Sequence, residues 1–304
     1  MNLTNSTNSV NYISIPIPLI SSIGFVFNML CLIILLRPCF KEKYRFRYII
    51  VKVIFDLIVS FIGSGLLDSN CVLFCLISNN YFGIFYQLYI KIIFAGFIYA
   101  SNSVIEILLI YDRTLILENR TNFLNIKKNF KYILIVSFIL NGLIILPLIL
   151  GYSIENLMNN YYISLTQFGF SSFFQYYQIF YIIITNPLSI LITVIMSIKS
   201  IKACHDFSAR RSYLTSNLNF NFEIKFTMMV LILTLLFILV RVFSLISIIL
   251  RKISQENNIL IMETILFDYI TQILLYIHTG SNFFILFLFN RKFRNSFHFK
   301  YFCN

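Results

Sequence analysis

Residues 276–294 read Tyr276-Ile-His278-Thr-Gly-Ser-Asn282-Phe-Phe-Ile-Leu-Phe-Leu-Phe-Asn290-Arg291-Lys292-Phe293-Arg294. This apolar run carries the amide of Asn282 near its centre, stops at a basic cluster and continues as a short Phe-rich stretch. That order is typical of a helix that leaves a lipid bilayer and continues along its surface. We therefore expect a membrane span here, followed by a short C-terminal amphipathic helix.

The composition places the whole chain among membrane proteins. Of the 304 residues, 59% are hydrophobic and 12% are charged, whereas a soluble domain carries about 25% charged residues. A bilayer-spanning helix needs about 20 mostly apolar residues. The sequence predicts an all-α membrane protein, a seven-transmembrane helix bundle with short connections, whose spans are 12–36, 48–70, 84–112, 132–152, 174–198, 226–250 and 262–289.

The basic residues give the orientation of these spans. Of the 24 Lys and Arg residues, 19 fall in the first, third and fifth connections and the C-terminal tail. The opposite side holds only Arg251 and Lys252. The positive-inside rule then puts the N-terminus outside and the tail in the cytoplasm of a multi-pass membrane protein. The net charge of +12 therefore indicates contact with anionic membrane lipids and no nucleic acid.

Three regions follow from this topology. Residues 1–11 form a short extracellular N-terminus, 12–289 the seven-transmembrane domain, and 290–304 a cytoplasmic amphipathic helix and tail. The N-terminus carries glycosylation sequons at Asn2 and Asn5, which the outside location makes available.

The sequence gives no indication of an enzyme. It has three His and six Cys residues, but neither a metal-ligand spacing nor a nucleophile constellation, so we expect no catalytic residue and no metal. Cys71 and Cys75 lie near an outer loop, where they are either oxidised to a disulfide or free.

Polar side chains inside membrane spans are costly and usually face the bundle interior. They either hold helices together by hydrogen bonds or form a ligand or ion site and a switch network. We favour the network for Asp56 with Asn28 and Asn282, and we consider an internal ion pair between Glu106 and Arg241. The full set of such side chains is Asn28, Asp56, Asn102, Glu106, Arg241, Asp268 and Asn282.

A charged pair, Asp112-Arg113, stands at the cytoplasmic end of the third segment. Arg113 can simply extend its guanidinium to the membrane surface. It can also pair locally with Asp112 and across the bundle with an acid, for which Glu223 at the start of the sixth segment is the candidate. Such a contact would be a two-state element that a ligand could bias.

These features together resemble a divergent rhodopsin-like (class A) G-protein-coupled receptor, in the style of invertebrate peptide receptors and nematode serpentine chemoreceptors. The resemblance spans nearly the whole chain and rests on the order and spacing of several short motifs. They are Gly24-x3-Asn28, Asp56, Asp112-Arg113-Thr114, Pro147, Pro187, Asn282-Phe-Phe-Ile-Leu286 and Asn290-Arg-Lys-Phe-Arg294.

The chain also departs from the family pattern. Phe283 and Leu286 replace the usual Pro and Tyr after Asn282, and Arg241 and Phe243 take the Trp and Pro positions of the sixth span. The fourth connection has no Cys, so the usual outer disulfide is not expected. Tyr276 stands where opsins carry the retinal Lys, which argues against a light receptor.

The resemblance implies a receptor that binds an extracellular peptide or small chemosensory molecule and signals through a heterotrimeric G protein. It also implies a sodium ion held by Asp56, Asn102, Thr279 and Asn282, with a water cluster as the alternative. Other readings are a seven-span transporter or channel subunit, or a degenerate, non-coupling receptor. The ligand-pocket candidates are Tyr86, Tyr89, Lys91, Tyr176, Tyr177, Arg241, Asp268, Gln272 and Tyr276.

Overall fold

A computed structural model of the chain describes residues 16–41, 46–64, 81–118, 123–157, 160–211, 218–257 and 261–297. The predicted sequons at Asn2 and Asn5, and the pair Cys71 and Cys75, lie outside the described residues.

Nine helices and two strands occur in the described part of the chain. Two of the helices contain a π-helical segment: α4 is made of Tyr81–Phe85, Tyr86–Phe94 (π) and Ala95–Leu117, and α6 of Ser172–Ile183, Ile184–Leu188 (π) and Ser189–Arg211. The other helices are α1 Pro16–Leu35, α2 Pro38–Lys41, α3 Arg47–Gly63, α5 Phe123–Gly151, α7 Leu218–Asn257, α8 Ile261–Phe289 and α9 Arg291–Phe297. The strands are β1 Tyr152–Leu157 and β2 Asn160–Leu165.

Six of the described helices, α1, α4, α5, α6, α7 and α8, are long and apolar enough to cross a membrane. Their outward faces are apolar as well: Leu143 on α5 is 60% exposed and Leu235 on α7 is 65% exposed. Exposed apolar surface of this extent suits contact with lipid tails and not with water. The chain is a multi-pass membrane protein. Helix α3 has 17 residues, somewhat fewer than the roughly 20 of a typical span.

Helix α3 lies inside the bundle, where it packs against α1, α4 and α8. Helices α1 and α8 approach closely through two glycines, because a Cβ on Gly280 would lie only 3.2 Å from the Cα of Gly24. Small residues permit this kind of backbone approach between membrane helices. The close packing brings polar side chains of α1, α3 and α8 within hydrogen-bond distance of one another.

A β-hairpin connects α5 to α6, although the sequence predicts an all-α protein. Strands β1 and β2 pair antiparallel with Tyr152 opposite Leu165, and alternate apolar side chains, among them Ile154 and Ile163, pack onto Leu88 of α4. On the other face the Tyr162 hydroxyl donates to Glu155 at 3.1 Å, and this hydrogen bond raises the pKa of the Tyr162 phenol. The hairpin covers one end of the bundle.

Helix α9 follows α8 after Asn290, whose side-chain oxygen accepts the backbone N–H of Phe293 at 3.2 Å. Phe293 is fully buried and packs against Phe40 and Phe283, while Arg291 is exposed. The short helix therefore has one apolar and one basic face, and it lies against the end of the bundle that carries the first connection.

Candidate functional site

A polar cluster fills the centre of the bundle. Three helices each contribute two polar side chains four residues apart, which places both on one helix face: Lys52 and Asp56 on α3, Asn102 and Glu106 on α4, and His278 and Asn282 on α8. All six side chains are buried. We call these six residues the central cluster.

The five residues predicted to form a network meet around Asp56. Its carboxylate accepts hydrogen bonds from the amides of Asn102 and Asn282, both at 2.7 Å. The Asn282 amide also donates to Asn28 at 3.3 Å, and the Asn28 amide donates to the carbonyl of Thr279 at 3.0 Å. The Thr279 hydroxyl accepts from Ser60 at 3.2 Å. These contacts connect α1, α3, α4 and α8.

The basic partner of Asp56 is Lys52, which sequence reasoning did not assign to the site. The Lys52 ammonium lies 2.8 Å from Asp56 Oδ2 and 2.7 Å from Glu106 Oε1, and all three side chains are 0% exposed. His278 Nε2 lies 3.5 Å from the same Glu106 oxygen. The spacing of Lys52 and Asp56, one helical turn apart, was the available signal.

The expected ion pair between Glu106 and Arg241 does not form. Glu106 points towards α3 and pairs with Lys52. Arg241 instead contacts α4 one turn away, where it donates to the Ser103 hydroxyl and to the Tyr99 carbonyl. The two side chains therefore lie at different levels of α4, each with its own partners.

The central cluster does not fit the sodium ion that the family resemblance implies. A sodium ion at Asp56 would need the carboxylate oxygen that the Lys52 ammonium contacts at 2.8 Å. A second monovalent cation at this distance from a buried ammonium would be repelled strongly in a medium of low dielectric constant. The Lys52 ammonium takes the place beside the Asp56 carboxylate that a sodium ion would occupy.

A second ionic contact lies at the end of the bundle that carries most of the basic residues. The Arg113 guanidinium lies 2.5 Å from Asp112 and 3.6 Å from Glu223 of α7. It also stacks over the Phe226 ring, with its Cζ 4.6 Å from the ring centroid. Arg113 is 1% exposed, so this contact joins α4 to α7 in a site shielded from water.

Of the nine ligand-pocket candidates, Arg241 lines a partly open cavity. The cavity has a volume of about 150 Å³ and lies between α4, α6 and α7. The π-helical segment of α6, which contains Pro187, presents the Thr185 carbonyl to Arg241 at 2.9 Å. π-Helical segments are frequent at functional sites. Other lining residues are Tyr99, Tyr181, Asn186 and Ser244, none of which the sequence singled out.

The other eight candidates do not line this cavity. Tyr176, Lys91 and Gln272 are exposed, and Tyr176 at 73% faces away from the bundle. Asp268 pairs with Arg251 at 2.5 Å and with Ser247. Four tyrosines take packing roles: Tyr86 donates to the Ile62 carbonyl, Tyr89 packs against Phe85, Tyr177 packs against Tyr181, and Tyr276 lies against Gly63.

The helices and the central cluster define a multi-pass helical membrane protein with buried charge at its centre. No protein-family model matches the sequence, and no curated protein matches it.

Proposed function

We propose that the chain is a rhodopsin-like G-protein-coupled receptor of the plasma membrane, with seven spans and an extracellular N-terminus. In this proposal α3, the second span in chain order, also crosses the membrane and brings the total from six to seven. Its 17 residues extend about 26 Å at 1.5 Å per residue, close to the roughly 30 Å of a bilayer core. An odd number of spans puts the two termini on opposite sides, which agrees with a first segment, 1–11, that has no Lys or Arg and a tail that is basic. Helix α9 then lies on the cytoplasmic surface.

The observation that carries the proposal is the buried contact of Arg113 with Asp112 and Glu223 at the basic end of the bundle. The contact holds the ends of α4 and α7 together. At 3.6 Å, the Arg113–Glu223 pair is longer than the 2.7–2.9 Å of a strong charge-assisted hydrogen bond. Its separation would open a groove at the cytoplasmic surface for the C-terminal helix of a G-protein α subunit.

Helix α7 connects this contact to the cavity at Arg241. Glu223 and Arg241 are both on α7, and 18 residues of α-helix separate them by about 27 Å. A rigid helix that touches a ligand at one end and takes part in an ion pair at the other can couple the ligand site to the ion pair. A ligand near Arg241 that favoured a different position of α7 would shift the equilibrium of the Arg113 contact.

A coupling assay tests the proposal. The chain is expressed with a panel of G-protein α subunits, including a promiscuous one, and screened with neuropeptides and small volatile molecules for second-messenger output. Arg113→Ala should abolish a ligand-dependent signal at equal surface expression. The matched control is Lys292→Ala, which removes an exposed positive charge of α9 and should retain the signal. A signal that persists in Arg113→Ala would contradict the proposed role of the contact.

The central cluster favours a second candidate, a transporter or channel subunit. Lys52, Glu106 and His278 are ionisable groups in contact within the membrane, and such groups often mark ion pathways. Ion-flux recordings on the wild-type chain and on Lys52→Met, compared at equal surface expression of folded protein, separate the two. A current that depends on Lys52 supports the transporter or channel, whereas a G-protein signal without current supports the receptor. A surface-expressed chain that gives neither signal nor current corresponds to a non-coupling receptor.

A further inference from the structure

Arg241 carries a positive charge that no described carboxylate neutralises. Its guanidinium donates to four neutral acceptors: the Thr185 and Tyr99 carbonyls, the Asn186 side chain and the Ser103 hydroxyl. It also lies over the Tyr99 ring, with Cζ 3.7 Å from the centroid. The residue is 1% exposed, and its Nε has no hydrogen-bond acceptor among the described residues. A buried charge without a counter-ion is costly.

Four acids of the described helices are engaged with other cations. Asp56 and Glu106 contact Lys52. Asp268 contacts Arg251, and Glu223 contacts Arg113. The structure therefore gives Arg241 a polar surround and an adjacent cavity but no partner of opposite charge within the described part of the chain.

The cavity beside Arg241 sets the size and charge of a complementary ligand. A volume of about 150 Å³ accommodates a molecule of about six non-hydrogen atoms, the size of benzene. One guanidinium neutralises one negative charge, and the Nε–H of Arg241, which has no acceptor among the described residues, can donate a charge-assisted hydrogen bond to a carboxylate. The Tyr99 and Tyr181 rings offer apolar contact, and the Ser244 hydroxyl is near. A phosphate ester carries up to two charges and would leave one of them uncompensated here.

We propose that this cavity binds a small organic monocarboxylate of about four carbons, whose carboxylate is the counter-ion of Arg241. The inference deepens the proposed function, because it names the ligand class of the site that α7 connects to Arg113. It requires binding only, so its test is independent of G-protein coupling. Coupling without carboxylate binding would overturn this inference alone, and binding without coupling would contradict only the proposed receptor function.

The test measures the thermal unfolding of the purified full chain in lipid nanodiscs by circular dichroism. Butyrate and butyramide have the same shape and six non-hydrogen atoms each, but only butyrate is charged. Butyrate should raise Tm saturably, and butyramide should not. Across acetate to octanoate, the half-saturating concentration should be lowest near four carbons. A series in which Tm changes steadily with chain length would indicate partition into lipid and would overturn the proposal.

Three variants link the response to the cavity. Arg241→Gln should weaken the apparent affinity for butyrate at least tenfold. Ser244→Leu fills the cavity while retaining Arg241 and should also remove the response, which keeps the test valid if Arg241→Gln does not fold. Lys252→Gln, an exposed cation on the same helix, should respond as the wild-type chain does.

A chloride titration distinguishes an inorganic anion from an organic acid. If chloride alone raises Tm through Arg241 and butyrate adds nothing, the site binds a halide and the proposal fails. If the butyrate response persists at constant chloride and is absent in Arg241→Gln or Ser244→Leu, the proposal holds. An equal response to butyramide would show that charge is not recognised and would overturn it.

Discussion

The ammonium of Lys52 lies 2.7 Å from the carboxylate of Glu106, and both side chains are completely buried. The pair joins α3 to α4 at the centre of the bundle. The same ammonium contacts Asp56 at 2.8 Å, so a single cation serves two carboxylates. Removing one partner of a buried pair is more costly than removing the whole pair, since an unpaired charge remains in a medium of low polarity. The stability of the bundle should therefore depend on Lys52 more than on most single residues.

Lys52→Met should strongly destabilise the protein. Both carboxylates would lose their cation, and breaking a buried ion pair costs about 3–5 kcal/mol. Glu106→Gln alone should cost less, because Asp56 still neutralises Lys52. The double variant Lys52→Met/Glu106→Gln should lose less stability than the two single variants lose together. The difference is the coupling energy, which should be about 1–3 kcal/mol. Thermal unfolding in detergent, followed by circular dichroism, measures all three variants, and strictly additive losses would contradict the pairing.

The wild-type chain should be insensitive to sodium, because Lys52 already supplies the positive charge at Asp56. Its Tm should be equal in sodium chloride and in choline chloride at about 0.15 M, which keeps screening constant. Lys52→Ser should be stabilised by sodium relative to choline, since the two carboxylates then lack a cation. A wild-type Tm that rises with sodium would mean that Lys52 leaves the site when the ion enters.

Under the proposed receptor function, Glu223→Gln should raise signalling in the absence of ligand. The amide keeps the size of the side chain but loses the charge that attracts Arg113 across α4 and α7. If the arrangement with Arg113 and Glu223 in contact loses about 1 kcal/mol of stability, the population of the separated arrangement increases about fivefold. Nucleotide exchange on the responsive G protein, measured without ligand, gives the basal rate. Glu263→Gln, an exposed acid on α8, is the control, and equal basal rates in both variants would refute the role of Glu223.

Gly63→Ala should destabilise the bundle, whereas Gly142→Ala should not. A Cβ on Gly63 would overlap the ring of Tyr276, and a Cβ on Gly142 would meet no described atom within 4 Å. Overpacking of this kind costs about 1–3 kcal/mol, while Gly to Ala within an open helix position gains up to about 1 kcal/mol. Both variants make the same chemical change, so the Tm of Gly142→Ala is the control for the Tm of Gly63→Ala. Tyr276→Leu should rescue Gly63→Ala, and failure of that rescue would place the clash elsewhere.

The sequence predicted where helices occur better than which side chains meet. The apolar runs matched helices because hydropathy alone determines them, although α6 and α7 continue well beyond the predicted 174–198 and 226–250. The hairpin was missed since its strands are short and half polar. Asp56 and Asn282, which the sequence grouped as polar residues within apolar helices, are in hydrogen-bond contact. Their contacts depend on how each helix is rotated, which hydropathy does not encode, and so Glu106 was paired with Arg241 instead of Lys52.

The Arg113 contact was predictable for a different reason. Asp112 is its neighbour in sequence, and Glu223 is an acid at the start of an apolar segment near the same membrane surface. Only a few residues compete for Arg113 at that depth. Arg241 was named as a pocket candidate, but no pattern in the sequence indicated the rest of the cavity. The cavity depends on the π-helical segment of α6 and on the Tyr99 carbonyl, neither of which composition reveals.

The charges of α3 also bear on how the chain is assembled during synthesis. An isolated helix with Asp56 at its middle and Lys52 one turn away would enter lipid poorly, since a charged residue at a helix centre opposes insertion by about 2.5–3.5 kcal/mol. One partner of Lys52, Glu106, belongs to α4, which the ribosome delivers later. We therefore expect α3 to stay beside the translocation channel until α4 emerges, so that Glu106 enters the bilayer in contact with Lys52.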